Sequence, residues 1–242
     1  MENLTPRQIV ILKAIIDDHI DSAKPVGSED LVSKHNLKIS PATVRNEMAE
    51  LMRKGYLEVP HTSAGRTPTP LGIRYYIQNL VDEKEVPVLQ EVAIKQRVWQ
   101  ERYEQDKFLR QVALSLAEAS GLLSIVDTDD GRMYSAGTVN ILEHPEFLDI
   151  DAAKSIFGIL DDFEAYQSVF SKMRHGQDIT VIIGPEMEIP HLDLAGMVTA
   201  RYSCGRTQGR LSVVGPYRMP YAKIIPEVRY LKNLICELGG NW

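Results

Sequence analysis

The chain has 242 residues, 44% of them hydrophobic, with two cysteines, six histidines and 27 Lys or Arg against 33 Asp or Glu. That apolar content can bury one large or two modest cores, and no window approaches the roughly 18 consecutive apolar residues a membrane span needs, which excludes an integral membrane helix. The net charge of -6 argues against nucleic acid when taken alone, yet residues 1 to 80 carry ten bases against nine acids while the remainder holds 17 against 24, so the excess acid is C-terminal.

Thr5-Pro6-Arg7-Gln8 reads as a helix start, with threonine as N-cap, proline at the first helical position and glutamine placed to close a capping box. Ile9, Leu12, Ile16 and Ile20 then form one apolar stripe, with Lys13, Asp17 and Asp21 off it. Gly27-Ser28 opens a shorter second helix, with Ser28 as cap, Glu29 and Asp30 in the first turn, Leu31 and Val32 facing inward and an end near Asn36. Ser40-Pro41-Ala42-Thr43 starts a third helix that ends at Gly55 with Arg53 and Lys54 in its last turn.

On that third helix Val44, Met48, Leu51 and Met52 make the buried stripe, and Ser40, Thr43, Arg45 and Asn46 project elsewhere near its N-terminus. Those residue types suit a recognition helix, where Arg pairs with guanine and Asn with adenine in the major groove. A polar outer face also suits any solvated helix, and three small capped helices also build protein-interaction domains, so the helices alone leave both readings open.

Tyr56-Leu57-Glu58-Val59 then reads as a short strand, the stretch PHTSAGRTPTP as a Pro and Gly loop, and Thr69-Pro70 as the cap of a further helix through Ile77. This is the element order of a winged helix. The loop around Ser63 to Thr67 is then the wing, Arg66 at its tip reaches a minor groove or a phosphate, and His61, Thr62 and Ser63 join the DNA-binding set. Val59 to Val81 holds Arg66, Arg74 and His61 and no acid, so a phosphate-facing surface is expected there. The other reading of the stretch is a stiff proline linker.

The run SPATVRNEMAELMRKGYLEVPHTSAGRTPTPLGIRYYI resembles the N-terminal domain of the heat-inducible transcription repressor HrcA family, with PHTSAGR as a highly specific signature. GTVNILEHPEF, from Gly137 to Phe147, and VVGPYRMPYAKIIPEVRYL, from Val213 to Leu231, resemble that family's GAF-like effector domain. The resemblance covers about residues 1 to 80 and 137 to 238. It implies a homodimeric repressor that binds double-stranded DNA at an inverted-repeat operator, the CIRCE element, ahead of chaperone genes, with the GroEL chaperonin favouring the active form. Members of the family carry more chain between the winged helix and GTVNILEHPEF, including an insertion that contributes to dimerisation. Here about 55 residues separate Leu80 from Gly137, so the insertion is expected to be absent and pairing to fall to the 97 to 120 helix or the sheet domain.

DEKEVPVLQ, charged and containing Pro87, marks a domain boundary. A long helix is expected beyond it, carrying Val98, Tyr103, Phe108, Val112 and Leu116 up to Gly121, its polar first half WQERYEQDK serving as a connector, a coiled dimer seam or an ordinary packing helix. Leu122 to Val126 and Met133 to Val139 read as strands flanking the turn Asp129-Asp130-Gly131, and Ile150 to Leu160 and Phe163 to Met173 as helices. Strands follow at Ile179 to Ile183, Gly196 to Tyr202 and Arg210 to Val214, the last two joined through 204 to 209, before a closing helix from Tyr221 to Leu238. The expected fold is α+β: an N-terminal winged helix-turn-helix (1 to 82), a linker and connecting helix (83 to 120) and a GAF-like mixed sheet domain for effector and dimer functions (121 to 242), with helices on one face of the sheet.

Catalysis finds little support. His19, His35, His61, His144, His175 and His191 are scattered, with no HxH or HExxH spacing. Asp127, Asp129 and Asp130 with Gly131 lack the distal glutamate of a calcium loop and read as a hairpin turn; Gly184-Pro185 and Gly215-Pro216 end strands and form no phosphate-binding loop. Cys204 and Cys236 stand outside any CxxC pattern, so buried or idle thiols in a reducing compartment are expected, and MENLTPRQIV lacks the layout of a secretory signal, which places the protein in the cytoplasm with no membrane contact. No cofactor, metal or enzymatic role is expected. The rival to a repressor is a ligand- or protein-sensing GAF-like module whose N-terminal domain docks protein or a different operator.

Overall fold

The computed structural model describes residues 3–60, 65–170 and 178–240. It divides into two compact units, Met1–Asp82 and Glu83–Trp242.

In the first unit α1 (Pro6–Ser22), α2 (Ser28–His35) and α3 (Pro41–Arg53) are followed by two-residue strands β1 (Leu57–Glu58) and β2 (Thr67–Pro68) and by α4 (Pro70–Asn79). The caps that start α1, α3 and α4 are those read from the sequence. Thr5 accepts from the Gln8 amide while Gln8 reaches back to the Thr5 amide, Ser40 accepts from Thr43 and Thr69 from Gly72. The second cap differs: Gly27 holds the N-cap position, its carbonyl accepting from the Leu31 amide, and Ser28 is a buried first helical residue. The apolar face of α1 is also wider than the expected stripe. Ile11, Leu12, Ile15 and Ile16 are fully buried and Ile9 and Ile20 only half so, because α1 packs on α3, β2 and α4 together. Val44, Met48 and Leu51 of α3 close the core with Leu31, Tyr56, Ile73 and Tyr76.

The second unit opens with α5 (Val88–Gln100) and α6 (Gln105–Ser120). The single long helix expected here is broken at 101–104, and α6 is no connector: Phe108, Leu109, Val112, Ala113 and Leu116 are buried, packed against the sheet and the C-terminal helix. Ile94 and Val98 anchor α5 on α6. Next come β3 (Leu123–Asp127) and β4 (Met133–Ala136), two short 3-10 turns (Thr138–Glu143 and Pro145–Phe147), α7 (Ile150–Asp161), α8 (Phe163–Ser168), β5 (Thr180–Ile183), β6 (Ala195–Cys204), β7 (Thr207–Pro216) and α9 (Tyr221–Leu238). β4 therefore stops short of the expected Val139, and the part of the expected 163 to 173 helix beyond 170 lies outside the described residues.

The sheet is antiparallel throughout, in the order β4-β3-β7-β6-β5. β6 and β7 are longer than the sequence indicates. Cys204 pairs with Thr207, leaving the two-residue turn Gly205-Arg206, where Gly205 supplies a φ of 58°. Helices cover both faces, not one. Leu123, Ile125, Met197 and Val214 cluster with Ile156, Ile159, Tyr166 and Phe170 on one side, while α6 and α9 pack on the other, where the Cys204 thiol reaches the Ile235 carbonyl. The physical reason is legible in the burial of β6 and β7, nearly continuous where a sheet with one wet face would alternate. Inside α9, Pro226 has no amide to give the Ala222 carbonyl, and that carbonyl accepts from the Lys84 amide at 2.8 Å.

Candidate nucleic-acid interface

The N-terminal end of α3 carries the polar groups singled out from the sequence. Pro41 pre-sets the first helical residue, and Ser40 satisfies a free amide of the first turn at 3.1 Å while its hydroxyl lies 2.9 Å from that of Thr43. With Val44, Met48 and Leu51 drawn into the core, Arg45 and Asn46 stand exposed, as does Ser40, and Thr43 is half-buried. Arg45 leans toward α2, its guanidinium 3.5 Å from the Ser28 hydroxyl.

A groove of about 370 Å³ runs between α3, the start of α2 and the returning loop, lined by Ser28, Glu29, Asp30, Arg45, Gly65 and Arg66 among others. Its charge is mixed: two arginines face two acids that are exposed at the first turn of α2.

Arg66 sits differently from the sequence reading, at the base of the loop and not at its tip. Its amide and carbonyl pair with the carbonyl and amide of Val26 at 3.0 and 2.9 Å, and its side chain donates to the Met52 sulfur and the Gly65 carbonyl. Gly65 makes this seat possible, since a Cβ there would lie 2.8 Å from the Pro25 backbone. His61, Thr62 and Ser63 lie outside the described residues. Sequence reasoning missed Val26 and Ser28, the partners that tie α2 to the loop base and to Arg45. The one local signal was Gly27-Ser28, read simply as a helix start, with Pro25-Val26 just ahead of it.

The second unit holds a different polar cluster on the α7/α8 side of the sheet. Asp127, fully buried, accepts from the Arg210 amide and from Gln167 at 2.7 Å; Arg210 donates to Gln167 at 2.7 Å and lies over the Phe170 ring. Burial pushes the Asp127 carboxyl up to about 6, against the pull of those donors. Nearby, Tyr166, Ser212 and Thr199 link hydroxyl to hydroxyl at 3.0 and 2.8 Å. These groups hydrogen-bond one another across β3, β6, β7 and α8 and so tie the sheet to the helix packed on it. Among the described residues no group of three or more His, Cys, Asp or Glu is placed to hold a metal ion, and no helix is long and apolar enough to cross a membrane. Asp129-Asp130-Gly131 is a hairpin turn whose carboxylates pair with Arg201 and Arg132.

Comparison with known proteins adds an independent line. Residues 73–225 match the family model described as HrcA protein C terminal domain. The heat-inducible transcription repressor HrcA of Carboxydothermus hydrogenoformans is 27% identical, the match covering 97% of this chain and 98% of that protein. The repressor of the same name from Desulforudis audaxviator is 29% identical over 94% of this chain and 96% of its own. The first of these alignments spans 337 positions against a chain of 242 residues, so a substantial part of the relative has no counterpart here. A crystal structure described only as that of a hypothetical protein shares the fold, with a TM-score of 0.78 at 19% identity over 98% of this chain and 99% of the other.

Proposed function

Because the chain belongs to the HrcA family, we propose that it represses transcription of chaperone genes by binding, as a homodimer, an inverted-repeat operator of the CIRCE type. In this reading residues 1 to 82 are a winged helix-turn-helix, with α3 as recognition helix and β1 and β2 as the stem of the wing. Residues 121 to 242 are a GAF-like effector domain on which α5 and α6, within 83 to 120, are assembled. The observation that carries the reading is the N-terminal end of α3. A rigidly capped helix start presents Arg45 and Asn46 to solvent beside Ser40 and Thr43, with the groove to α2 and Arg66 alongside.

Asn46 and Arg45 then read bases, Ser40 and Thr43 contact bases or phosphates, and Arg66 fixes the base of the wing from which His61, Thr62 and Ser63 reach the duplex. Response to the GroEL chaperonin and to heat would act through the second unit. The protein is not an enzyme in this reading and works in the cytoplasm.

Fluorescence anisotropy against a CIRCE-type repeat and a scrambled duplex, each across a salt series, tests it. The expected outcome is tight binding to the repeat alone, with an affinity that falls steeply as salt rises because counterions are released. Asn46→Ala should relax the preference at one base pair and Arg66→Ala weaken all sequences about equally. Equal, weak and salt-insensitive signals for both duplexes would sink the repressor reading and favour a sensor that docks protein.

A further inference from the structure

α5 carries two unlike faces. Ile94 and Val98 are buried toward α6, and Gln90 and the Glu91 carbonyl are tied to Glu227 and Tyr230 of α9. Away from that face Leu89, Val92, Gln96 and Trp99, continued by Tyr103 in the turn after the helix, recur at alternating steps of three and four, the spacing of a coiled-coil seam. Leu89 is 86% exposed, Val88 beside it 72%, Tyr103 70%, Val92 48% and Trp99 46%. Their exposed parts amount to roughly 600 Å², at the top of the range for the largest apolar patch on a monomer and close to the roughly 800 Å² per partner that a stable interface buries.

We propose that this face of α5 is a homodimer interface, in which the α5 helices of two copies of the chain pack antiparallel about a two-fold axis at Gln96. The inference rests on the homodimer of the proposed function and names its surface. Three features favour a second copy over another protein.

The seam side chains themselves carry no charge, and the cations beside them are engaged within the chain: Lys95 with Glu237, Arg97 with Glu118, and Arg102, which lies against the seam, stacked 4.1 Å over both Trp99 and Tyr103. Nothing on the seam therefore calls for a partner of opposite charge. Its one polar member, Gln96, has an amide that is both donor and acceptor, so at a two-fold axis it can satisfy its own copy. The seam is also graded in size, with Val88, Leu89, Val92 and Ala93 at one end and Trp99 and Tyr103 at the other. Antiparallel pairing about Gln96 sets Ala93 against Trp99 of the second copy, large on small, and brings Leu89 to the end of α5 beyond which Tyr103 lies, with opposed helix dipoles. Parallel pairing would stack Trp99 on Trp99 and leave the narrow end underfilled.

The test is sedimentation of the full chain without DNA, at low to tens of micromolar. Wild type is expected to be a dimer, and Leu89→Glu and Trp99→Glu to weaken association by more than about 100-fold, since each sets an unpaired charge in the seam. Because Leu89 is exposed and Trp99 nearly half so, the circular dichroism of both variants should be unchanged, and melting should lose only the concentration-dependent part that the dimer contributes. Leu148→Glu, in a separate exposed apolar region, should leave the dimer intact. In a Cys236→Ser background Gln96→Cys should yield a covalent dimer on oxidation, as residues at the axis meet their own copies. A monomeric wild type, dimers that survive both glutamates, or a dimer lost only with Leu148→Glu would each overturn the assignment. A dimer that binds no operator would leave the seam standing and sink the repressor reading, whereas a monomer that binds the repeat tightly would overturn the seam and keep operator recognition, removing only the homodimer from the proposed function.

Discussion

In the first unit these ionic links keep one partner in water: the buried Asp18 takes the exposed Lys34 at 2.5 Å and the half-buried His35 at 3.0 Å, tying α1 to α2, and Tyr76 donates to the half-buried Asp17 at 2.8 Å, tying α4 to α1. In the second unit both partners of a pair go inside, with Asp127 and Arg210 within the sheet layer and Glu146 with Arg218 nearly out of water. The difference teaches how each region spends its side chains. The helices of the first unit are held mainly by aliphatic packing, which leaves Arg45 and Asn46 of α3 exposed to a ligand. A five-stranded sheet covered on both faces has little outer surface, and it uses buried polar pairs to fix its layers.

The largest effect should come from the second core. Phe108→Ala is expected to lower stability by about 3 to 5 kcal/mol in urea unfolding, against about 2 to 5 kcal/mol for Leu51→Ala in the first unit. A loss under about 1 kcal/mol at Phe108 would return α6 to the role of a peripheral connector.

Asp127→Asn sharpens the contrast through pH. Folding raises this carboxyl to about 6, so the native state binds a proton that the unfolded chain has already released between about pH 4 and 6. The contribution of Asp127 to stability should thus fall as pH rises through that window, by about 2 kcal/mol, and level off above it. Measured as the difference between wild type and Asp127→Asn, a flat profile from pH 4 to 7 would refute the assignment. The exposed carboxylates Asp106 and Asp130, held low by Tyr134 and Arg132, cancel in that difference.

Gly65→Ala comes next. Its methyl meets the backbone of Pro25, so a cost of about 1 to 3 kcal/mol is expected together with weaker operator binding; a neutral result would mean that the loop base is not seated on α2. Ser40→Ala should cost about 1 kcal/mol and Ser40→Gly only a few tenths, as for an N-cap. Smallest of all on stability, Arg45→Ala should stay within about 0.5 kcal/mol of wild type while operator affinity drops by about 1 to 3 kcal/mol, and equal losses in both would recast Arg45 as a structural link to Ser28.

These contrasts also explain what could be read in advance. Thr5, Ser40 and Thr69 announce their helices because a cap and its amide lie within three residues, and the polar end of α3 follows from helical periodicity once Ser40 fixes the start. Gly27 displaced Ser28 as a cap because Ser28 is drawn inward toward Arg45, a contact 17 residues away in sequence. The break at 101–104 escaped notice because the buried positions of α5 and α6 run on at near-helical spacing across it. Nothing local reveals that Asp127 is buried or that Arg66 bridges to Val26. The two thiols are the plainest case: Cys204 and Cys236 lie 32 residues apart, yet each sulfur approaches backbone carbonyls of the other's segment.

Pro226 bears on how load would travel through the chain. The carbonyl it leaves open on Ala222 holds the Lys84 amide, and one step earlier Glu83 is ion-paired to Arg229 of the same helix. Tension applied to the chain ahead of Lys84 is therefore delivered first to α9, the longest helix described, and only afterwards to α5. A residue with an amide at 226 would close the helical ladder and compete with Lys84 for the Ala222 carbonyl, leaving the Glu83–Arg229 pair as the main hold of this point on α9.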